Sequence, residues 1–367
     1  MANAFDAHKA HKLLSGFFAQ EWAKTDVSSL RVKRITGGLI NTINLVSRDT
    51  TAAAEPAAVI VRHFGLEGYQ EEPPGDSITL SAAQQAVVCW EMSRRGLGPK
   101  IYGFFPGGRL EEYIDSHTLT AAESTEADIR RDVARSYARL HSLQLPLRRD
   151  SFSMVGRDFI VSMKNKQKAA AQELQAIDDT VARDYFLLFQ ETDWVQELQW
   201  VSDLFAKHNC KMTITQGDTN YLNILVKNYD SECRVMLIDY ETVCFSYRGS
   251  DIGGHFNERM YRYSQPDTHL TGFSAPNAQE QREFCEAYLH ELRFLGCEMT
   301  EYDTVDHLML EASIGRMYQL LFTNFMSTVF DEVEVEPLFL SGLLHMMQMY
   351  AQVKREFERS YAEAGAT

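Results

Sequence analysis

Thr215-Gln-Gly-Asp-Thr-Asn-Tyr-Leu-Asn-Ile-Leu225, followed by Val235-Met-Leu-Ile-Asp-Tyr-Glu241, is the stretch whose reading decides the fold. Ile224, Leu225 and Val226 predict one short buried strand and residues 235–238 a second, with the polar run 227–234 as the loop of a hairpin. Such a hairpin brings Asn223, just before the first strand, and Asp239, just after the second, to one end of a sheet. Asp218 precedes them on the same loop, 21 residues ahead of Asp239. A lone Asp or Asn in a loop is ordinarily a turn former or a helix cap. Three of them in this order around two apolar strands ask for a chemical explanation.

Phosphoryl transfer from a nucleotide supplies one. It needs an acceptor for the proton of the attacking hydroxyl, an amide oxygen for a metal ion, and a carboxylate for the Mg²⁺ that bridges the phosphates. Mg²⁺ takes hard oxygen ligands and few from protein, so one amide and one carboxylate beside phosphate oxygens make a sufficient set. Asp218 is the candidate base, Asn223 and Asp239 are the candidate metal ligands, and Glu241 is an assistant to a second metal.

The same residues carry a resemblance. Gln-Gly-Asp-Thr-Asn-Tyr-Leu-Asn-Ile-Leu, Leu-Ile-Asp-Tyr-Glu, and above all Tyr247-Arg-Gly-Ser-Asp-Ile-Gly-Gly-His-Phe-Asn-Glu258 resemble the choline/ethanolamine kinase family. That family is related to the aminoglycoside phosphotransferases and to protein kinases. Upstream, Ile35-Thr-Gly-Gly-Leu-Ile-Asn41 resembles its nucleotide loop. Leu97-Gly-Pro-Lys-Ile-Tyr-Gly103 and Gly108-Arg-Leu-Glu-Glu-Tyr-Ile114 resemble its hinge. The likeness runs from residue 34 to 263 and thins afterwards.

The resemblance implies an α/β (α+β), protein-kinase-like fold of two lobes. A small N-terminal sheet lobe (1–109) binds the nucleotide, and a large, mainly helical C-terminal lobe (110–367) carries catalysis and substrate binding. It implies ATP and Mg²⁺ as cofactors, a small amino alcohol as partner, and a first step of phospholipid synthesis as the activity. It assigns Gly37, Gly38, Asn41 and Arg62 to the nucleotide and Asn220, Glu258 and Tyr263 to the amine, and it leaves a homodimer open.

Composition agrees with an enzyme of this kind. The chain has 367 residues, enough for one large or two modest domains with an ample core. Its formal charge of −15 and lack of a basic tract argue against nucleic acid as a partner. Solubility explains that charge, and attraction of a cationic substrate is the functional alternative. The six cysteines show no CxxC spacing and no disulfide framework, so reduced thiols and a cytoplasmic location are expected. No signal-peptide core opens the chain. The apolar run 338–353, broken by Ser341, His345 and Gln348, reads as a half-buried helix and not as a membrane span.

Along the N-terminal part, residues 31–35, 42–46 and 59–63 predict three strands of a small sheet, with Gly37 and Gly38 turning the chain between the first two. Glycines there let backbone N–H groups approach phosphate, and a plain hairpin turn needs them equally. Residues 67–80 read as a loop. Residues 81–94 read as a helix packing on the sheet through Ala82, Ala86, Val87 and Trp90. From residue 110 the chain reads as helical. Residues 127–143 carry Ile129, Val133, Tyr137 and Leu140 on one stripe, and His141 is expected to be a buried, hydrogen-bonded histidine. Met346, Met347 and Met349 read as helix core.

The departures from the family pattern bear on the substrate. Gln85 stands where the family's helix glutamate pairs with the strand cation, so it offers Arg62 a hydrogen bond but no charge. Gln216 replaces the histidine before the catalytic Asp. Thr242 and Arg259 replace aromatics near Glu258, and residues 312–321 lack the family's two tryptophans, leaving Tyr318 and Phe322 to refill the cage. Each lost ring removes roughly 0.5–2 kcal/mol of cation–π attraction, which weakens any preference for a quaternary over a primary ammonium. The expected activity is therefore phosphorylation of the hydroxyl of choline or ethanolamine. A kinase of another amino alcohol or an aminoglycoside is one alternative, and a pseudokinase, suggested by Gln85 and Gln216, is the other.

Overall fold

The computed structural model describes residues 5–35, 41–49, 54–65, 80–173, 180–262, 270–329 and 337–361. The chain divides into two compact units, Met1–Ser116 with Lys227–Tyr229, and His117–Val226 with Asp230–Thr367. The boundary expected at 109/110 falls inside a strand of the first unit.

The first unit is built on an antiparallel sheet in the order β1-β2-β3-β5-β4: β1 (Leu30–Ile35), β2 (Thr42–Arg48), β3 (Ala58–His63), β4 (Ile101–Phe105) and β5 (Gly108–Glu112). The three strands expected from residues 31–63 are present, and the family's hinge segment forms the β4–β5 hairpin. Alternation along β3 and β5 puts Val59, Val61 and Leu110 on one face. There they join Ala10 and Leu14 of α1 (Ala7–Ser15), Trp22, Leu30 and Val46 in one buried cluster. The opposite face carries Arg62, Arg109 and Glu111, because Arg62 pairs with Arg109 in register and Glu111 lies two residues on.

Helix α2 (Ala82–Arg94) is started by a capping box between Ser81 and Gln84. Its buried face is Gln85, Val88, Cys89 and Met92. The face expected from sequence is corrected: Val87 and Trp90 are 47% and 50% exposed. Ala and Trp are weak guides to a helix face when the stripe also admits a buried glutamine.

The second unit contains α3 (Ala127–His141), α4 (Ser151–Glu173), α5 (Thr180–Glu191), α6 (Trp194–Lys207), α7 (Arg248–Glu258), α8 (Ala278–Phe294), α9 (Val305–Val329) and α10 (Pro337–Tyr361). Two small sheets frame its functional loop. One pairs β7 (Met212–Thr215) with β10 (Cys244–Tyr247). The other orders β6 (Ser116–Thr118), β8 (Ile224–Lys227) and β9 (Val235–Leu237) as β6-β8-β9. The hairpin read from the opening stretch is the β8–β9 pair, with Ile224 opposite Leu237.

Helix α7 is the buried axis of this unit, every residue from Arg248 to Asn257 being buried. It crosses α9 at glycines. A Cβ on Gly253 would lie 2.3 Å from Ala312 O, and one on Gly315 would lie 1.7 Å from Gly249 O. Backbone-to-backbone contact of this kind explains why the family-like run is rich in glycine. Arg248, fully buried, is held by Asp303 and by both carboxylate oxygens of Glu311.

Candidate active site

Strand β7 ends at Thr215 and the chain turns through Gly217, whose φ of +81° suits glycine and whose added Cβ would lie 2.5 Å from Thr242 O. The turn is anchored by Asp251 of α7. Its fully buried carboxylate accepts from Gln216 N at 2.6 Å and Gly217 N at 3.1 Å, and lies 3.1 Å from His141 Nε2. His141 is also 2.8 Å from the Tyr288 hydroxyl, so it is the buried, hydrogen-bonded histidine that was expected. Gln216 donates through Nε2 to Ile238 O at 2.8 Å, tying the loop to the end of β9.

This frame presents Asp218. Its Oδ1 accepts from Asn220 N at 3.1 Å and its Oδ2 from Asn223 Nδ2 at 2.9 Å. The side chain keeps access to solvent, but the protein around it displaces enough water to raise its pKa above the ordinary aspartate value. The Asn220 N–H opposes that shift, and the negative charge of Asp239 adds to it. A carboxyl raised in this way is a stronger base than a solvated one.

Asn223 closes a short 3₁₀ turn (Tyr221–Asn223) that leads into β8. With its amide nitrogen committed to Asp218, its amide oxygen faces away from that carboxylate. Ile238 N donates to Asn223 O at 2.9 Å, which holds the ends of β8 and β9 together. Asp239 follows with φ at +63°, a left-handed conformation that aspartate tolerates better than most residues. Its Oδ1 is buried without a hydrogen-bond partner among the described residues. Glu241 lies two residues further on the same turn, part-buried.

A divalent cation fits this donor set. A buried, unpartnered carboxylate oxygen on Asp239, the oriented amide of Asn223, and repulsion between Asp218 and Asp239 are what a hard cation would relieve. Among the described residues no group of three or more His, Cys, Asp or Glu side chains could hold a metal, so such a cation would complete its shell with phosphate and water.

The residues expected to meet the amine follow. Glu258, the last residue of α7, accepts from Tyr221 N at 3.4 Å, placing its carboxylate three residues from Asp218 along the loop. Asn220 uses its side-chain oxygen to cap Leu222 N at 3.0 Å, so it is first a loop former. Glu258 and Tyr221 also border a cavity lined by His255, Phe256 and Phe284. Tyr263 lies outside the described residues, as do Gly37 and Gly38. Asn41 is described, its Oδ1 accepting from Gly65 N at 3.3 Å.

A model of the choline/ethanolamine kinase family matches residues 32–334. The chain belongs to that family. A human choline/ethanolamine kinase is 26% identical over 299 residues, covering 78% of this chain and 69% of the relative. A choline kinase from Cryptosporidium parvum Iowa II shares the fold with a TM-score of 0.69 at 17% identity, over 96% of this chain and 97% of that one. A Plasmodium vivax ethanolamine kinase does so with 0.63 at 17% identity, over 94% and 88%. The α+β, kinase-like fold expected of the family is thereby present.

Several family positions hold other side chains here, and the structure gives each a task. Thr242 donates to Gln216 O at 2.9 Å, and Arg259 clamps Glu280 with two bonds of 2.8 and 2.9 Å and donates to Ser274 O at 2.7 Å. The Tyr318 ring packs with Phe152 and Phe205, centroids 5.4 and 6.1 Å away, in an aromatic core with Tyr247.

In the first unit Arg62 is nearly buried, its Nε donating to Glu111 at 3.0 Å, and Arg109 donates to the same oxygen. Gln85 is not its partner, since its Nε2 donates to Leu80 O at 2.9 Å. Glu111 thus supplies the countercharge that position 85 lacks. Burial alone would raise its pKa, but the Arg62 and Arg109 guanidinium groups hold it at about 2.

Sequence reasoning missed Glu111 and Asp251. The signal for Glu111 was an Arg and a Glu two apart in a short strand, on one face in period two. Asp251 lay within the quoted family run, but nothing in one sequence tells a fully buried loop anchor from a helix-surface acid.

Proposed function

We propose that this enzyme transfers the γ-phosphoryl group of ATP to the hydroxyl of choline or ethanolamine. The observation that carries the reading is the Asp218 carboxylate, oriented by Asn220 and Asn223 and raised in pKa by burial and by the charge of Asp239, whose Oδ1 is unpartnered among the described residues. Asp218 orients the substrate hydroxyl and takes its proton as the oxygen attacks phosphorus. Asn223 and Asp239 would hold Mg²⁺, with Glu241 assisting a second ion, and a cation bound there would supply positive charge against the phosphates. Arg62, fixed by Glu111, offers its terminal amino groups to the phosphates, with Gly37, Gly38 and Asn41 around the nucleotide. Glu258 draws the ammonium, with Asn220 and Tyr263 completing that site.

Among the described residues no helix is long and apolar enough to cross a membrane, and none of the six cysteines pairs in a disulfide. Reduced thiols support our placing the enzyme in the cytoplasm. ATP turnover with choline, ethanolamine and the two intermediate methylated amines tests the reading. We expect turnover of at least one of them, abolished without Mg²⁺. ATP binding without turnover of any amino alcohol would leave a pseudokinase instead.

A further inference from the structure

Arg316 of α9 faces the end of α7. Its Nε donates to Asn257 Oδ1 at 3.0 Å, and Asn257 Nδ2 donates back to Arg316 O at 3.1 Å. Among the described residues it forms no ion pair. Arg130, Arg248 and Arg259, the buried arginines described in this unit, are all paired with carboxylates. Arg316 is part-buried; loss of water around its guanidinium lowers its pKa, and Glu356 of α10 attracts it only from beyond ion-pair distance.

Tyr261 adds a second unmet group. It is 2% exposed, its hydroxyl has no hydrogen-bond partner among the described residues, and it lies within the electrostatic reach of both Glu258 and Arg316. A part-buried cation without a counter-ion and a buried hydroxyl without a hydrogen-bond partner, both among the described residues, are groups that an anion would satisfy. Together they make a donor pair suited to an anion, next to the carboxylate that faces the substrate ammonium. The family's pattern calls for tryptophan on this segment of α9, and a guanidinium repels the quaternary nitrogen that such rings would attract.

We propose that Arg316 and Tyr261 form an anion subsite beside Glu258, and that the enzyme phosphorylates hydroxy amino acids whose ammonium meets Glu258 and whose carboxylate meets Arg316. The inference rests on Glu258 being the ammonium's partner. L-Serine is ethanolamine with a carboxylate on the amine-bearing carbon, and L-homoserine is one methylene longer. The chemistry stays the same: the hydroxyl oxygen bonds to the γ-phosphorus, the bond to ADP breaks, and the hydroxyl proton passes to Asp218.

The test is steady-state ATP turnover of the wild type, Arg316→Gln, Tyr261→Phe and Glu356→Gln against ethanolamine, choline, L-serine and L-homoserine, with a thermal melt of each variant. We expect wild-type turnover of at least one hydroxy amino acid. Arg316→Gln should raise its KM by about ten- to a hundredfold with kcat nearly kept, and should leave ethanolamine KM unchanged or lower. Tyr261→Phe should act in the same direction with a smaller change. A wild type that uses only ethanolamine or choline overturns the anion subsite and leaves the proposed function standing, whereas one inert on all four overturns both. If Arg316→Gln and Glu356→Gln lower the melting temperature alike and neither shifts the ratio of KM values, Arg316 merely secures α10 and the inference fails.

Discussion

The Asp218 loop and the Arg248 cluster both gather charge within the helical unit, and they treat it oppositely. Around Arg248, every charge is answered. Its guanidinium meets Glu311 and Asp303, while Lys211 and Thr300 satisfy the remaining Asp303 oxygen at 3.1 and 2.8 Å. Around Asp218, the charge of Asp239 disfavours ionisation, one oxygen of Asp239 has no partner among the described residues, and Asp239 holds a left-handed backbone. The first arrangement joins α7 to α9. The second stores unfavourable terms that a cation, a phosphate or a substrate hydroxyl can relieve, which is how functional sites differ from structural ion pairs.

The largest expected effect breaks the comparison on the functional side. Asp218→Asn keeps the loop's shape and removes the base, so kcat should fall by about 10²- to 10⁴-fold with nucleotide affinity nearly unchanged. Because it also removes a like charge from Asp239, its melting temperature should equal or exceed that of the wild type. Steady-state kinetics with a thermal melt check both halves, and an active or strongly destabilised Asp218→Asn enzyme would contradict them.

Arg248→Ala should do the reverse. Leaving Glu311 and Asp303 buried without their cation should cost about 3–5 kcal/mol, read by urea unfolding. Activity per folded molecule should survive better than in Asp218→Asn. A stability loss under about 1 kcal/mol would mean that water reaches this cluster.

The third expectation sharpens the contrast through pH, using Glu111 of the sheet unit as the answered charge. Its folded pKa of about 2 lies below its ordinary value of 4.5, so its stabilisation is present above pH 4.5 and is lost as pH falls towards 2. The shift corresponds to roughly 3 kcal/mol. Asp218 has the opposite sign, since its folded pKa is raised and acidification removes a destabilising charge. Glu111→Gln should flatten the acid limb of the stability profile and raise the KM for ATP more than that for the amine, because Arg62 loses its anchor. An unchanged acid limb would show that Glu111 is not held by the two arginines.

Much of this was legible in the sequence because it depends on short-range pattern. Short apolar runs around a polar loop gave the β8–β9 hairpin, strand signals between glycine turns gave three strands of the sheet, and the 3.6-residue stripe of Ile129, Val133, Tyr137 and Leu140 gave α3. The order Asp218, Asn223, Asp239 needed only the knowledge of what phosphoryl transfer requires. The buried face of α2 was misread, since Trp90 counts as apolar wherever it points and only packing decides that it points outwards.

By itself the sequence determined the kinase-like framework and named the groups proposed to do chemistry, because periodicity and reaction requirements both act over a few consecutive residues. Only the tertiary structure decided which charges meet. Glu111 reaches Arg62 through strand register across 49 residues, Asp251 reaches Gln216 across 35, and Arg316 comes to Asn257 across 59. Such partnerships follow from where distant backbones approach, at the Gly249–Gly315 crossing and in the β3–β5 pairing, and long-range approach leaves no periodic trace in a single chain.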